Sequence, residues 1–197
     1  MGRSVLTSLI LLFSTPVVSS QTQKIDVDLR KSSVEWTGKK LTGEHYGNVS
    51  LSKGELILKD KKLAGGSFKI DMNSITCTDI SDEKSNRRLV DHLKSEDFFS
   101  VTKFPVGTLV ITKVENTSGE NYAITGELTI KGITNAIKFP ATLTSVAGVT
   151  TATANIVFDR SKYDVKFGSQ SFFENLGDKL VYDEVEMKVT LVSVKDK

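Results

Sequence analysis

The chain predicts an antiparallel all-β barrel, and three observations carry that prediction. Apolar and polar residues alternate with period two through most of the chain after Gln21, as in Val34-Glu-Trp-Thr-Gly38, Phe68-Lys-Ile-Asp-Met72 and Val185-Glu-Met-Lys-Val-Thr-Leu191. Thr and Val are frequent in these runs, and turn residues such as Gly65-Gly66 and Asn116-Thr-Ser-Gly119 recur at short intervals between them. The alternation holds along nearly every run, which suits a sheet closed on itself with one face inside. A two-sheet sandwich is the runner-up.

Eight strands are expected, at roughly 33–40, 47–59, 65–73, 105–114, 121–131, 136–145, 150–159 and 183–194. In the first, Val34, Trp36 and Gly38 share a face and Lys40 extends it. In the second, Val49 and Leu51 share a face, continued upstream by Gly47 and His45. Phe68 with Ile70, and Leu128 with Ile130, form inward pairs in the third and fifth. In the seventh, Ala152, Ala154, Ile156 and Phe158 share a face that runs on to Arg160.

Two segments break the pattern. Residues 74–100 hold one short helix: Leu89 and Leu93 are four apart, acids lie early and Lys94 lies late. Residues 160–182 read as a long irregular loop with one helical turn.

The first residues show the three-part layout of a secretory signal peptide: Arg3, an apolar run to Phe13, then small residues up to Ser20. The run is too short to span a bilayer. A signal peptide over residues 1–20 and one domain over residues 21–197 are expected, with periplasmic or secreted localisation and no stable membrane anchor. The net charge of +2 falls to +1 without Arg3, which supports neither a nucleic-acid nor an acidic partner. Cys77 is the sole cysteine, so stability comes from a core rather than a disulfide.

In a simple meander of eight strands, Lys40, His45 and Arg160 all fall at one rim, beside both long segments. A barrel with inward basic groups at one mouth is a ligand site, with Trp36, Phe68, Ile70, Leu128, Ile130, Ile156 and Phe158 as an apolar channel and Lys40, His45 and Arg160 at the mouth. The competing reading is that strand-end Lys and Arg reach out to water. It also makes Trp36 a core plug and lets the Phe pairs at 98–99 and 172–173 pin loops to the barrel.

Catalytic and metal chemistry has no visible carrier. The two His, at 45 and 92, stand in no metal-binding arrangement, and the Asp residues at 71, 79, 82 and 91 match no calcium loop. No nucleophile elbow, phosphate-binding loop or dinucleotide fingerprint occurs. No cofactor, no metal and no enzymatic activity are expected.

Several stretches in order resemble the YceI-like family: Trp36-x-Gly38, Gly43-Glu-His-Tyr-Gly47, Ile70-Asp-Met-Asn-Ser-Ile75, His92-Leu-Lys-Ser-Glu-Asp-Phe-Phe99, Lys103-Phe-Pro105, Gly126-Glu-Leu-Thr-Ile-Lys-Gly-Ile-Thr134, Phe139-Pro-Ala141 and Phe158-Asp-Arg-Ser-Lys-Tyr163. The resemblance implies an exported, eight-stranded, lipocalin-like barrel whose apolar channel can hold a polyprenyl chain. It implies binding or carriage rather than catalysis. It supplies no fixed set of ligand residues, so the site above rests on strand parity. Where the family often has Arg-Asp before the His-Leu, this chain has Leu89-Val90-Asp91. The expected function is therefore an exported carrier of an isoprenoid such as a polyprenyl phosphate or quinone. The alternatives are a binder of other amphiphiles and a packed barrel with an interaction or stress-related role.

Overall fold

The computed structural model describes residues 20–194, so the expected signal peptide lies outside the described residues except for Ser20. Ten strands form one antiparallel sheet: β1 (Thr22–Asp26), β2 (Ser33–Lys40), β3 (Gly43–Asn48), β4 (Ser50–Lys59), β5 (Lys62–Asp71), β6 (Val106–Ser118), β7 (Asn121–Ile130), β8 (Ile133–Val146), β9 (Val149–Asp159) and β10 (Val181–Val192). Their order is β1-β4-β5-β6-β7-β8-β9-β10-β2-β3. The all-β, lipocalin-like class stands, but the count is ten where eight were expected. The expected second strand is split into β3 and β4. The other addition, β1, is five residues of Thr-Gln-Lys-Ile-Asp, too short and polar to show an alternation.

The split falls at Val49, where pairing passes from β2 to β5, and an irregularity follows within β4. A bulge between Leu51 and Lys53 shifts the β4–β5 register by one residue. A one-residue shift turns every following side chain to the other face. Val49 and Leu51 face inward before the bulge; Gly54, Leu56 and Leu58 are the buried ones after it. At its start β4 still continues the β2–β3 ladder, with Val49 N–H donating to Val34 O at 2.9 Å. Further on, β1 is its partner instead, from Thr22↔Lys59 to Asp26↔Glu55. The sheet curls round, and β1 ties it to β10 through the Val27↔Ser193 bridge and bonds from Asp28 N–H to Val192 O (2.7 Å) and Val194 N–H to Asp26 O (2.8 Å).

The inward rows meet as one apolar cluster drawn from nine of the ten strands, β3 being the exception. It is incompletely packed. Trp36, Ile70, Ile111, Ala141, Val185, Met187 and Val189 all belong to it, yet remain partly accessible. Side chains that point inward and still meet solvent mark a hollow interior.

The segment 72–82 closes one mouth. It runs along the free edge of β3, where Thr76 N–H donates to Asn48 O and Thr78 N–H to Tyr46 O, each at 2.9 Å. It then enters α1 (Glu83–Lys94), the expected helix, capped by Asp82 accepting from Ser85 N–H at 2.9 Å. Asn86 holds the approach by donating to Cys77 O and Ile80 O, both at 2.9 Å. The strap lies so close to Gly47 that a Cβ there would sit 1.9 Å from Thr76 O. Trp36, paired with Gly47, donates Nε1–H to that same carbonyl at 3.0 Å. The close approach needs a residue with no side chain. Gly47→Ala is expected to push the strap off β3 and destabilise the protein by about 2 kcal/mol or more, seen as a melting temperature lower by several degrees.

Candidate functional site

A cavity of about 340 Å³ occupies the barrel interior. All ten residues singled out from strand parity line it: Trp36, Phe68, Ile70, Leu128, Ile130, Ile156 and Phe158 along the wall, and Lys40, His45 and Arg160 toward the lid. The structure brings the last three together as the register implies. Lys40 pairs with Val181, Gly38 with His45, and Arg160 bonds to Val181 O.

Residues from the lids line it too and were not foreseen: Met72, Ile75, Leu89, His92, Leu93 and Phe167. Met72 continues the Phe68–Ile70 alternation; the others follow no strand period, and only the fold carries them over the mouth. Leu56 was missed because the bulge reverses parity within its strand. Met187 and Val189 belong to an alternation visible in the sequence.

His92 sits edge-on to Phe98 and Phe167, with ring centroids 5.1 and 4.5 Å away. Phe98 and Phe167 are 5.4 Å apart. Phe98 is buried and pins its loop, as one reading expected. Phe172 and Phe173 do not: both are exposed.

Arg160 differs most from the strand-end cation of the sequence reading. It is 1 % exposed. Its Nε donates to Tyr182 O at 3.1 Å, one terminal nitrogen to Val165 O at 3.0 Å and the other to Val181 O at 2.8 Å. Asp183 Oδ1 lies 3.3 Å from the second terminal nitrogen, and the guanidinium stacks 5.6 Å from the Phe98 centroid. Burial lowers the Arg160 pKa, and the fields of Asp183 and Asp159 oppose that. Each charge-assisted bond is worth about 1.5–3 kcal/mol. The side chain thus holds both ends of the loop 164–182 onto the barrel. Beneath it Tyr163 is buried beside Phe158, and burial, followed by Asp159, pushes its hydroxyl up to about 12. Arg160→Ala would leave the largely buried Asp183 without its ion-pair partner, keeping only the bond from Ser171 Oγ at 2.7 Å, and is expected to cost about 3–5 kcal/mol. Urea unfolding checks this, and Arg160→Leu combined with Asp183→Leu should recover part of the loss.

A second polar link joins mouth and strap. His45 Nδ1 lies 2.7 Å from Asp79 Oδ2. Asp79 Oδ1 accepts from Tyr46 N–H at 3.0 Å and from Cys77 Sγ at 3.2 Å. A carboxylate only accepts, so Nδ1 carries the proton and Nε2 is left for another partner. Burial raises the Asp79 pKa, but the bonds from His45, Tyr46 and Cys77 outweigh it and hold the carboxyl below its usual value. Burial and the Asp79 bond push the Cys77 thiol up, which keeps it protonated and unreactive. A depressed carboxyl stabilises the fold above its unfolded pKa, and that contribution is lost as pH falls through the folded value. Urea titrations between neutral pH and about pH 3 should show stability falling more in wild type than in Asp79→Asn, which starts lower and lacks the titrating group.

The Lys40 ammonium has no hydrogen-bond or ion-pair partner among the described residues. Those residues contain no group of three His, Cys, Asp or Glu side chains suited to a metal, and no helix long and apolar enough to cross a membrane.

Residues 25–193 match the YceI-like domain family. A UPF0312 protein of Pectobacterium carotovorum subsp. carotovorum is 28% identical over 139 residues, covering 70% of this chain and 69% of the relative. Among solved structures, Burkholderia cenocepacia BcnA superposes with a TM-score of 0.71 at 27% identity, over 86% of this chain and 100% of BcnA. A Saccharophagus degradans domain described as polyisoprenoid binding and implicated in plant cell wall breakdown gives 0.61 at 12% identity, over 87% and 98%.

Proposed function

Because the chain belongs to the YceI-like family, we propose that it is an exported carrier which holds the apolar chain of an isoprenoid lipid, such as a polyprenyl phosphate or quinone, inside the barrel. The hollow, almost wholly apolar interior is the observation that carries this reading. The likeness in fold to a domain described as polyisoprenoid binding supports it. Trp36, Phe68, Ile70, Leu128, Ile130, Ile156 and Phe158 are the chain-contacting wall. Removing a prenyl tail from water drives binding at about 25 cal/mol per Å² of apolar surface, less the association cost. The polar end sits under the lid, near the unpaired Lys40 ammonium and the His45 ring. Arg160 serves this site by bracing the lid, since three of its donors already meet backbone carbonyls. The role is binding rather than catalysis.

Export to the periplasm or beyond is supported by the apolar N-terminal run behind Arg3. Native mass spectrometry of the protein from its own host checks the whole reading. A polypeptide starting at or near Gln21 with a bound prenyl lipid is expected, and Ile156→Trp should arrive empty but folded. A wild-type protein free of lipid, with Ile156→Trp merely destabilised by about 1–3 kcal/mol, would point to a filled interior and overturn it.

A further inference from the structure

The barrel wall has a place where no backbone bond holds it. The β8–β9 ladder runs from Val146↔Val149 to Ala141↔Ala154 and stops. Both strands continue, β8 back to Ile133 and β9 on to Asp159, each still paired to its other neighbour. In continued register Lys138 would face Val157, and Ile137 would face Phe158, but no such pair forms. Pro140, first in the unpaired stretch, has no N–H to donate. The gap is bounded at one end by the paired Ala141 and Ala154. At the other end the turn Arg160–Tyr163 closes it, pinned to β8 by Asn135 Nδ2 donating to Lys162 O at 3.0 Å. Lys131 Nζ adds a bond to Asp164 O at 2.6 Å. The early stop of the β5–β6 ladder after Gly66↔Ile111 differs, because it lies at the rim away from the lid and is a flare of strand ends.

Outside the end of the β8–β9 ladder lies a recess of about 810 Å³, with Lys138, Asn155 and Lys188 among its lining. Ile124, Phe139, Ala141, Thr153, Ala154 and Val189 line both this recess and the interior cavity. The two spaces therefore lie on opposite faces of the same stretch of wall, one sheet layer apart. The interior, at about 340 Å³, is at the small end for a ligand pocket, so a long chain needs a route through the wall or past the lid. The lid is held by the Arg160 bonds, by Leu41 N–H to Leu180 O at 3.2 Å and by the ring cluster around His92. Along the seam lie Ile137, Phe139, Ile156 and Phe158, all buried in the apolar cluster; no ladder bond crosses it, so it can part by side-chain rotamer changes.

We propose that the β8–β9 seam is a lateral gate, and that a long-chain lipid enters and leaves the barrel through it rather than past the lid. This rests on the carrier reading above. The recess receives the chain as it crosses, and the small side chains of Ala141 and Ala154 leave the passage clear at its inner end.

Two reducible staples test the gate. Lys138→Cys with Val157→Cys, joined by a short cleavable thiol cross-linker, closes the seam from outside. Leu41→Cys with Leu180→Cys, joined in the same way, ties the lid to the β2–β3 turn. Uptake and release of anthraniloyl-labelled geranylgeraniol are followed by fluorescence, with far-UV circular dichroism to verify that each protein is folded. The seam staple should slow both rates at least tenfold, with full recovery on reduction, while the lid staple leaves them unchanged. Slowing by the lid staple, or no slowing by the seam staple, overturns the gate. If the unstapled protein takes up no label, the carrier reading itself fails, a result distinct from either staple outcome.

Discussion

A buried guanidinium is the constraint on which the working end of this molecule depends. The segment after β9 contains no strand until Val181, and its apolar anchors, Tyr163 and Val165, are clustered at its start. Arg160 holds it to the barrel by donating to carbonyls of Val165, Val181 and Tyr182, groups that would otherwise be turned inward unpaired. Asp183 balances the charge. Burying a cation is unfavourable by itself, and it is tolerated here because donors and charge are nearly all matched. Through it the position of the loop, the roof of the cavity and one boundary of the β8–β9 gap are set together.

The interior follows a different logic. Its strands bring apolar rows inward, but Ala141, Ala152 and Ala154 and the glycines at 38, 47 and 107 keep parts of those rows short. A core of this kind gives up dispersion contacts that a filled one would have, which suits a protein whose contacts are completed by a chain-like ligand. The polar groups at the mouth are similarly divided. The Arg160 and Asp79 groups are satisfied within the protein, while Lys40 and one face of His45 are left toward the cavity.

The β8–β9 gap and the bulged β4 show how a curled sheet departs from ideal pairing where function has a use for it. In β4 one extra residue bends the strand and makes room for β1. At Pro140 the missing donor ends a ladder that both strands were long enough to continue. In β4 the inward row breaks between Leu51 and Gly54 and resumes with parity reversed, whereas in β8 the row Ile137, Phe139, Ala141 runs on past Pro140.

By itself the sequence determined the class of fold, the wall rows and the helix over the mouth. Period-two alternation is a local property, and it survives whatever the strands pair with; hence Trp36, Phe68, Ile130 and Ile156 were legible as inward before any topology was known. Asp82 and the Leu89–Leu93 spacing marked the helix for the same local reason. Tertiary structure alone decided what depends on contacts between distant residues. These include the strand count, the reversal of parity at Leu56, the place of Phe167 and His92 over the cavity, and the coupling of His45 to Asp79. Arg160 is the clearest case. Parity pointed it inward correctly, but whether an inward cation meets a ligand or the backbone depends on where the residues near 165 and 181 come to rest, and no local pattern encodes that.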